Sequence, residues 1–309
     1  MKSMSNIIVQ TVIPIFLLIG IGFLSRKIGI LKSGDERVLS AYVYYFALPA
    51  LFFVNMAEID FTAEILRFMF AGITPILVVL TIYTVLYSVF RFSKDTLYLL
   101  ILSTIFGSLA FFGIPFITLA FPDREHLATL SAASISVVSV TTSLTILELY
   151  KLEKSTRWEG IKHVVRRLSK NPLIISILSG ILVSLIRIEF PTPISASLHM
   201  LGSTTSTVAI FMLGVFLYGR KYTNITKALK LSLLRIVFLP VVALLTIKLF
   251  GLIGIERSVL ALMHSMPVAI SMIILSERYD FYKETIASLI LISSLGAAVY
   301  LNLWLLLLD

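Results

Sequence analysis

Residues 107–121 read GSLAFFGIPFITLAF, and this stretch decides the fold. It lies in a run apolar enough to cross a membrane, yet Gly107, Gly113 and Pro115 interrupt it. Proline has no backbone N–H and its ring clashes with the carbonyl four residues earlier, so Pro115 is expected to break or kink a helix. Freed backbone groups find no water in lipid, so a broken span is tolerated mainly where neighbours or a polar cavity satisfy them.

A second interrupted stretch lies far downstream, at residues 262–276, LMHSMPVAISMIILS, with Pro267 near its centre. Two interrupted spans in corresponding positions of two halves are typical of a transporter's binding site. The alternative is a pair of ordinary proline-kinked helices, because proline is commoner in membrane helices than in soluble ones.

Composition indicates an all-α membrane protein. Of 309 residues, 58% are hydrophobic and 14% are charged, with a mean hydropathy of +0.98. Apolar runs of about 20 residues indicate spanning helices, whereas a membrane barrel would show short alternating segments. The chain has no cysteine, and we expect no metal and no cofactor. The net charge of +9 lies in short connections, so nucleic acid is not an expected partner.

The hydropathy pattern predicts ten spans, and the basic residues predict their orientation. Lys and Arg concentrate in every second connection, which by the positive-inside rule faces the cytoplasm. Both termini are therefore expected outside a plasma membrane, with the long connection at 151–171 cytoplasmic. The predicted spans are 6–25, 37–57, 67–90, 96–121, 126–149, 172–188, 194–218, 231–251, 258–276 and 284–308.

The chain divides into two five-span halves, residues 1–150 and 172–309. Prolines recur at similar separations in corresponding spans: Pro14 with Pro172, Pro75 with Pro240, and Pro115 with Pro267. Because five is an odd number, the second half is expected to be inverted relative to the first.

The linker at 151–171 is predicted to be a basic amphipathic helix on the cytoplasmic leaflet. Its apolar residues fall on one helical face: Trp158, Ile161, Val165 and Leu168. It is either a plain basic joint between the halves or a regulatory element.

Polar residues inside the spans mark the candidate site, since they are costly in lipid. After each break, a half-helix presents unpaired N–H groups and a positive dipole end, which favours a carboxylate. His264 is either a proton carrier or a neutral packing histidine bonded to a carbonyl. The predicted substrate-binding residues are Ser108, Gly113, Pro115, His264, Ser265, Pro267, Asn55, Thr204 and Thr205.

Two further polar features belong to spans seven and eight. The run Ser203–Thr207 predicts a locally unwound or cavity-lining segment, or else helix packing through small residues. Arg235 in span eight is expected near an interface, where a long side chain reaches water.

Three motifs resemble those of the auxin efflux carrier family, and their order covers essentially the whole chain. LSAYVYYFALPALFF at 39–53 resembles the second span, FGSLAFFGIPF at 106–116 the first crossover, and residues 266–296 the second crossover and last helix. The family includes plant auxin exporters and bacterial malate or malonate permeases. Plant members place an asparagine where this chain has Ser108, which argues against auxin as the assumed substrate.

The resemblance implies a fold similar to bile-acid sodium symporters, with broken helices four and nine crossing. Spans one, two, six and seven would form a scaffold, through which plant members dimerise, and the other spans a moving transport domain. We therefore expect a secondary transporter that moves a small organic anion, auxin-like or a dicarboxylate, by elevator-like alternating access. The alternatives are a gated channel of the same fold and a sodium- or proton-coupled symporter. No enzyme motif such as H-E-x-x-H is present, so no enzyme is expected.

Overall fold

The computed structural model describes residues 4–151, 162, 164–166, 168–188, 191–220 and 222–308, with no account of the side chains of 4–11, 274 and 277. The described chain is helical. The amphipathic helix predicted for 151–171 falls largely outside the described residues.

Helices occupy each of the ten predicted ranges. In chain order they are α1 (Met4–Lys27), α2 (Asp35–Tyr42), α3 (Leu48–Ala57), α4 (Ala63–Phe90), α5 (Lys94–Ile105), α6 (Ile114–Ala120), α7 (Glu125–Lys151), α8 (Pro172–Ile186), α9 (Thr192–Leu217), α10 (Ile225–Leu233), α11 (Leu239–Ile247), α12 (Gly254–Ser265), α13 (Ser271–Tyr279) and α14 (Lys283–Leu308). Six continuous helical segments of the described chain are long and apolar enough to cross a membrane by length and composition. An all-helical membrane protein is therefore confirmed, while the count of ten spans and the inverted repeat stay predictions.

Five-residue π-helical turns precede three of the prolines. They are Val43–Ala47, Leu109–Gly113 and Leu234–Phe238. Each proline, Pro49, Pro115 or Pro240, is the second residue after its turn. A π turn is wider than an α turn, and it lets the chain pass a residue that has no N–H and a bulky ring.

Pro240 also leaves a carbonyl without its helical partner, and another helix supplies one. The carbonyl of Ile236 would accept from the N–H of residue 240 in a continuous α-helix. It accepts instead from the indole N–H of Trp304, at 2.7 Å. The indole thus replaces the donor that proline lacks, and it joins the π turn of 234–238 to α14.

The contacts divide the chain into two compact units, each made of separate stretches. Unit 1 comprises residues 1–66, 110–133 and 169–220, and unit 2 comprises residues 67–109, 134–168 and 221–309. The units therefore do not follow the predicted division into residues 1–150 and 172–309, which concerns the repeat and stays a prediction.

Small residues bring the helices of unit 1 close together. A Cβ added at Gly214 of α9 would lie 1.9 Å from the carbonyl oxygen of Ile19 in α1. One added at Gly180 of α8 would lie 2.6 Å from the carbonyl oxygen of Phe53 in α3. Only glycine permits backbones to approach this closely, as is common between membrane helices.

Helix α9 is unbroken from Thr192 to Leu217, so the predicted unwinding at Ser203–Thr207 is wrong. Hydroxyls in this run bond to their own helix: Ser203 Oγ donates to the Met200 carbonyl at 2.8 Å and Thr204 Oγ1 to the Leu201 carbonyl at 2.7 Å. Such bonds let polar residues sit in an intact helix. Gly202 packs against the Leu51 backbone, where an added Cβ would lie 2.9 Å from its Cα, as the small-residue alternative predicts.

Candidate functional site

Two helix breaks meet within unit 2. Helix α5 ends at Ile105 and helix α12 ends at Ser265. Gly107 and Val268 then form an isolated antiparallel bridge. The interruptions thus lie in the two stretches that the sequence singles out.

The bridge pairs the backbone of one break with that of the other. The N–H of Ser108 donates to the carbonyl of Pro267 at 2.8 Å, and the N–H of Ala269 donates to the carbonyl of Phe106 at 3.0 Å. The N–H of Val268 donates to Ser293 Oγ at 3.1 Å. Buried backbone groups that are not in a helix need such partners, so the two breaks stabilise each other.

The first break lies upstream of Pro115, not at it. The chain leaves α5 at Ile105, and the π turn at 109–113 then runs directly into α6, so Pro115 lies inside the helical stretch Leu109–Ala120. The π turn before it accommodates the ring and the missing N–H. Gly113 is the residue before α6, with an ordinary φ of −66°. Both remain predicted site residues and belong to unit 1.

The sequence prediction for Arg235 is wrong. It lies in the π turn at 234–238 and is fully buried, rather than reaching an interface. Its Nε donates to the carbonyl of Met266 at 2.8 Å and its Nη1 to that of Thr104 at 2.9 Å. Longer bonds join Nη1 to Ile105 at 3.3 Å and Nη2 to Met263 at 3.4 Å. One guanidinium therefore contacts the ends of both α5 and α12.

Gly107 makes room for this guanidinium. A Cβ at residue 107 would lie 1.7 Å from Nη2 of Arg235 and 2.3 Å from its Cζ. Residue 107 is therefore a glycine because the guanidinium leaves no room for a Cβ, and not because the backbone adopts a positive φ there. Among the described side chains, no carboxylate forms an ion pair with Arg235, so a positive charge sits beside the two breaks.

His264 is anchored to α4. It is fully buried, and its Nε2 lies 2.9 Å from the carbonyl oxygen of Gly72. A carbonyl accepts only, so Nε2 carries a proton in this contact. This geometry matches the packing alternative. The Nδ1 of the same ring is buried and has no hydrogen-bond partner in the described chain.

Ser108 presents a second buried polar atom without a partner. The residue is 4% exposed, and its Oγ has no hydrogen-bond partner among the described residues. An unpartnered buried hydroxyl costs free energy unless something else binds it. Ser265, in contrast, donates to the Leu262 carbonyl of its own helix at 2.7 Å.

The remaining predicted site residues belong to unit 1. Asn55 donates from Nδ2 to the Leu51 carbonyl of its own helix at 2.8 Å. Thr204 lies 2.8 Å from the hydroxyl of Tyr42. Thr205 is fully buried, and its hydroxyl has no partner in the described chain.

A buried carboxylate lies elsewhere in unit 2. The hydroxyl of Tyr279 donates to Oε1 of Glu148 at 2.5 Å, and both residues are buried. The two residues are 131 positions apart, and no pattern in the sequence indicates that they pair.

A family model described as "Membrane transport protein" matches residues 7–305. The chain belongs to this family. This match confirms the resemblance to the auxin efflux carriers, and with it the protein's membership of a family of membrane transporters.

Individual relatives support the same assignment over 90% or more of their length. The chain is 26% identical over 303 residues to "Uncharacterized transporter MJ1031" of Methanocaldococcus jannaschii, with 96% of this chain and 97% of that protein covered. It is 21% identical over 309 residues to "Uncharacterized transporter YfdV" of Escherichia coli, covering 97% and 98%. It is 23% identical over 293 residues to the "Putative malonate transporter" of Rhizobium meliloti, covering 92% and 90%.

Proposed function

We propose that this membrane transport family member is a secondary transporter that carries a small carboxylate, of the size of malonate, by alternating access. The observation that carries the proposal is the surroundings of the paired breaks. Ser108 Oγ and His264 Nδ1 are buried without partners in the described chain. The guanidinium of Arg235 bonds to the carbonyl groups of Met266 and Thr104 at the same two breaks.

Each element of this arrangement suits an anion. The hydroxyl of Ser108 can donate to a carboxylate oxygen. The helical stretches that begin at Leu109 and at Ser271 add the positive ends of their dipoles, although the N–H groups of Leu109, Met272 and Ile273 already donate to nearby backbone carbonyl groups. The buried guanidinium adds a fixed positive charge in an apolar setting, where electrostatic attraction is stronger than in water. A relative named for malonate transport supports a dicarboxylate as the first substrate to test.

For the transport cycle we propose an elevator-like movement. Spans three to five and eight to ten would form the transport domain, and the others the scaffold. The units agree with this division in part: unit 1 contains α1–α3, α8 and α9, but it also contains α6 and the start of α7, which the proposal assigns to the transport domain. A homodimer formed through the scaffold helices is part of the same proposal.

Uptake by proteoliposomes tests the function. We expect radiolabelled malonate uptake to saturate and to accelerate when unlabelled malonate is inside the vesicles, because a carrier returns faster when loaded. Ser108→Ala should lower this uptake. The matched control is Ser197→Ala, whose exposed hydroxyl bonds only to the Pro193 carbonyl of its own helix. Ohmic malonate current without trans-acceleration would refute the carrier and indicate the gated channel.

Topology is tested separately. We propose ten spans as two inverted five-span halves, with both termini outside. Because the chain has no cysteine, a single introduced cysteine reports its own side of the membrane. Asp60→Cys should react with an impermeant maleimide on intact cells, and Ser33→Cys only after permeabilisation. Both positions are exposed. The reverse result would overturn the orientation.

A further inference from the structure

We propose that Arg235 is the resident cation of the paired breaks: its guanidinium occupies a site built from helix-end carbonyl oxygens that would otherwise attract a free cation. The protein would therefore need no sodium or potassium ion at this place. The inference rests on the contacts of unit 2 and holds whatever anion is carried.

The carbonyl groups around Arg235 are those that lost their helical partners. In a continuous α-helix, the Thr104 carbonyl would accept from the N–H of Ser108. That N–H donates to Pro267 instead. The Met263 carbonyl would accept from residue 267, but Pro267 has no N–H. From the backbone it receives the N–H of Met266, the residue that follows α12, at 3.4 Å. Both breaks thus create acceptors, and Arg235 contacts both.

These acceptors would attract a cation in any case. The carbonyl groups at a helix C-terminus carry about half a negative charge, and here the last turns of two helices, α5 and α12, end at the same guanidinium. In broken-helix transporters, unwound carbonyls and half-helix C-termini are the groups that bind sodium ions or protons. In lipid, moreover, such oxygens cannot turn to water.

The guanidinium fits this set of acceptors better than an ammonium group would. It is planar, stays charged and carries five N–H donors in a fixed fork. All three of its nitrogens donate: Nε to Met266, Nη1 to Thr104 and Nη2 to Met263. A lysine ammonium in its place could rotate its three donors but could not match this spread.

The first experiment uses the wild-type, full-length protein in lipid nanodiscs. Thermal unfolding is followed by tryptophan fluorescence. Trp304 is one source of this signal, and its indole N–H bonds to the Ile236 carbonyl, next to Arg235 in the chain. Sodium, potassium or N-methylglucamine chloride is supplied at equal ionic strength. The proposal expects the same Tm in all three salts, since the cation is part of the chain. A Tm that rises specifically with sodium or potassium would overturn it.

Variants then separate a charge at this site from simple packing. Arg235→Ala should lower Tm by roughly 10 °C, because buried acceptors lose their donors. Added sodium or methylguanidinium should restore part of that loss in this variant and change nothing in wild type. The Tm of Arg235→Lys should lie between that of Arg235→Ala and that of wild type. The control is Arg67→Ala, which removes an exposed arginine of the same unit and should leave Tm unchanged.

Two results of the variant series would overturn the proposal. One is an Arg235→Ala protein with the wild-type Tm. The other is a loss of stability that no added cation restores, since Arg235 would then act only by packing. If Arg235→Ala does not fold, the salt series on wild type and Arg235→Lys still decides the matter.

Discussion

Adding one methyl group at residue 107 should disrupt the paired breaks. In Gly107→Ala the new Cβ would lie 1.7 Å from Nη2 of Arg235, where an ordinary contact begins at 3.4 Å. The guanidinium must therefore retreat by roughly 2 Å, since nothing closer than a van der Waals contact is tolerated in a packed interior. Its bonds of 2.8 Å to Met266 and 2.9 Å to Thr104 cannot survive such a shift.

The cost follows from those two bonds. Each hydrogen bond to a charged group contributes about 1.5–3 kcal/mol, so their loss lowers the free energy of unfolding by about 3–6 kcal/mol. Alanine restricts the unfolded chain more than glycine, which offsets at most about 1 kcal/mol. At about 2–4 °C per kcal/mol, the expected fall in Tm is on the order of 10 °C.

Thermal unfolding in nanodiscs measures the fall in Tm of Gly107→Ala, with Gly296→Ala as the control. That glycine lies in α14, and a Cβ there would meet only the ring of Tyr300 at an ordinary 3.6 Å. If the two variants had equal Tm values, the steric argument would be wrong. A double variant with Arg235→Ala adds a second check. It should be no less stable than Arg235→Ala alone, because both changes act on the same bonds.

Three further predictions concern the site and the helix packing. Ser108→Ala should weaken malonate binding in a titration while leaving Tm unchanged or slightly higher, since its hydroxyl is buried without a partner; unchanged affinity would remove Ser108 from the site. Pro267→Ala and Pro115→Ala should each lower the rate of transport substantially while lowering Tm only slightly. The effect of Pro267→Ala should be the stronger one, because its new N–H competes for the Met263 carbonyl. Wild-type uptake by both variants would contradict the role assigned to the breaks. Gly214→Ala should destabilise the protein by about 1–3 kcal/mol through overpacking, because its Cβ would lie 1.9 Å from the Ile19 carbonyl oxygen. The control Gly20→Ala adds a Cβ that meets nothing within 4 Å and should stabilise α1 slightly. Equal Tm values for these two variants would refute the close packing.

Hydropathy and proline placement predict the helical ranges and the two stretches where helices break, because both effects are local. The site of the first break could not be read from Pro115, which lies inside the helical stretch Leu109–Ala120, where a π turn accommodates it. That break is instead placed by Gly107, which must stay small for a side chain more than a hundred residues away.

Arg235 shows the same limit. Its sequence signal was present, since a charged residue inside a span is a functional candidate by default. The ordinary alternative of a long side chain reaching an interface could be rejected only once the carbonyl groups of Thr104 and Met266 were seen around it. Likewise, five consecutive polar residues at 203–207 suggest unwinding, but the helix is unbroken and the hydroxyls of Ser203 and Thr204 bond back to it. Sequence shows which residues are polar but not which groups satisfy them: distant carbonyl groups bind Arg235, whereas the carbonyl groups of the same helix bind Ser203 and Thr204.

The contact between Arg235 and Thr104 also has a consequence for biosynthesis. The two residues are 131 positions apart, and a ribosome adding about 5–20 residues per second needs on the order of 10 s to cover that distance. During this interval the Thr104 carbonyl lacks this donor. The paired breaks can therefore be completed only after the segment between α10 and α11, which carries Arg235, has been synthesised.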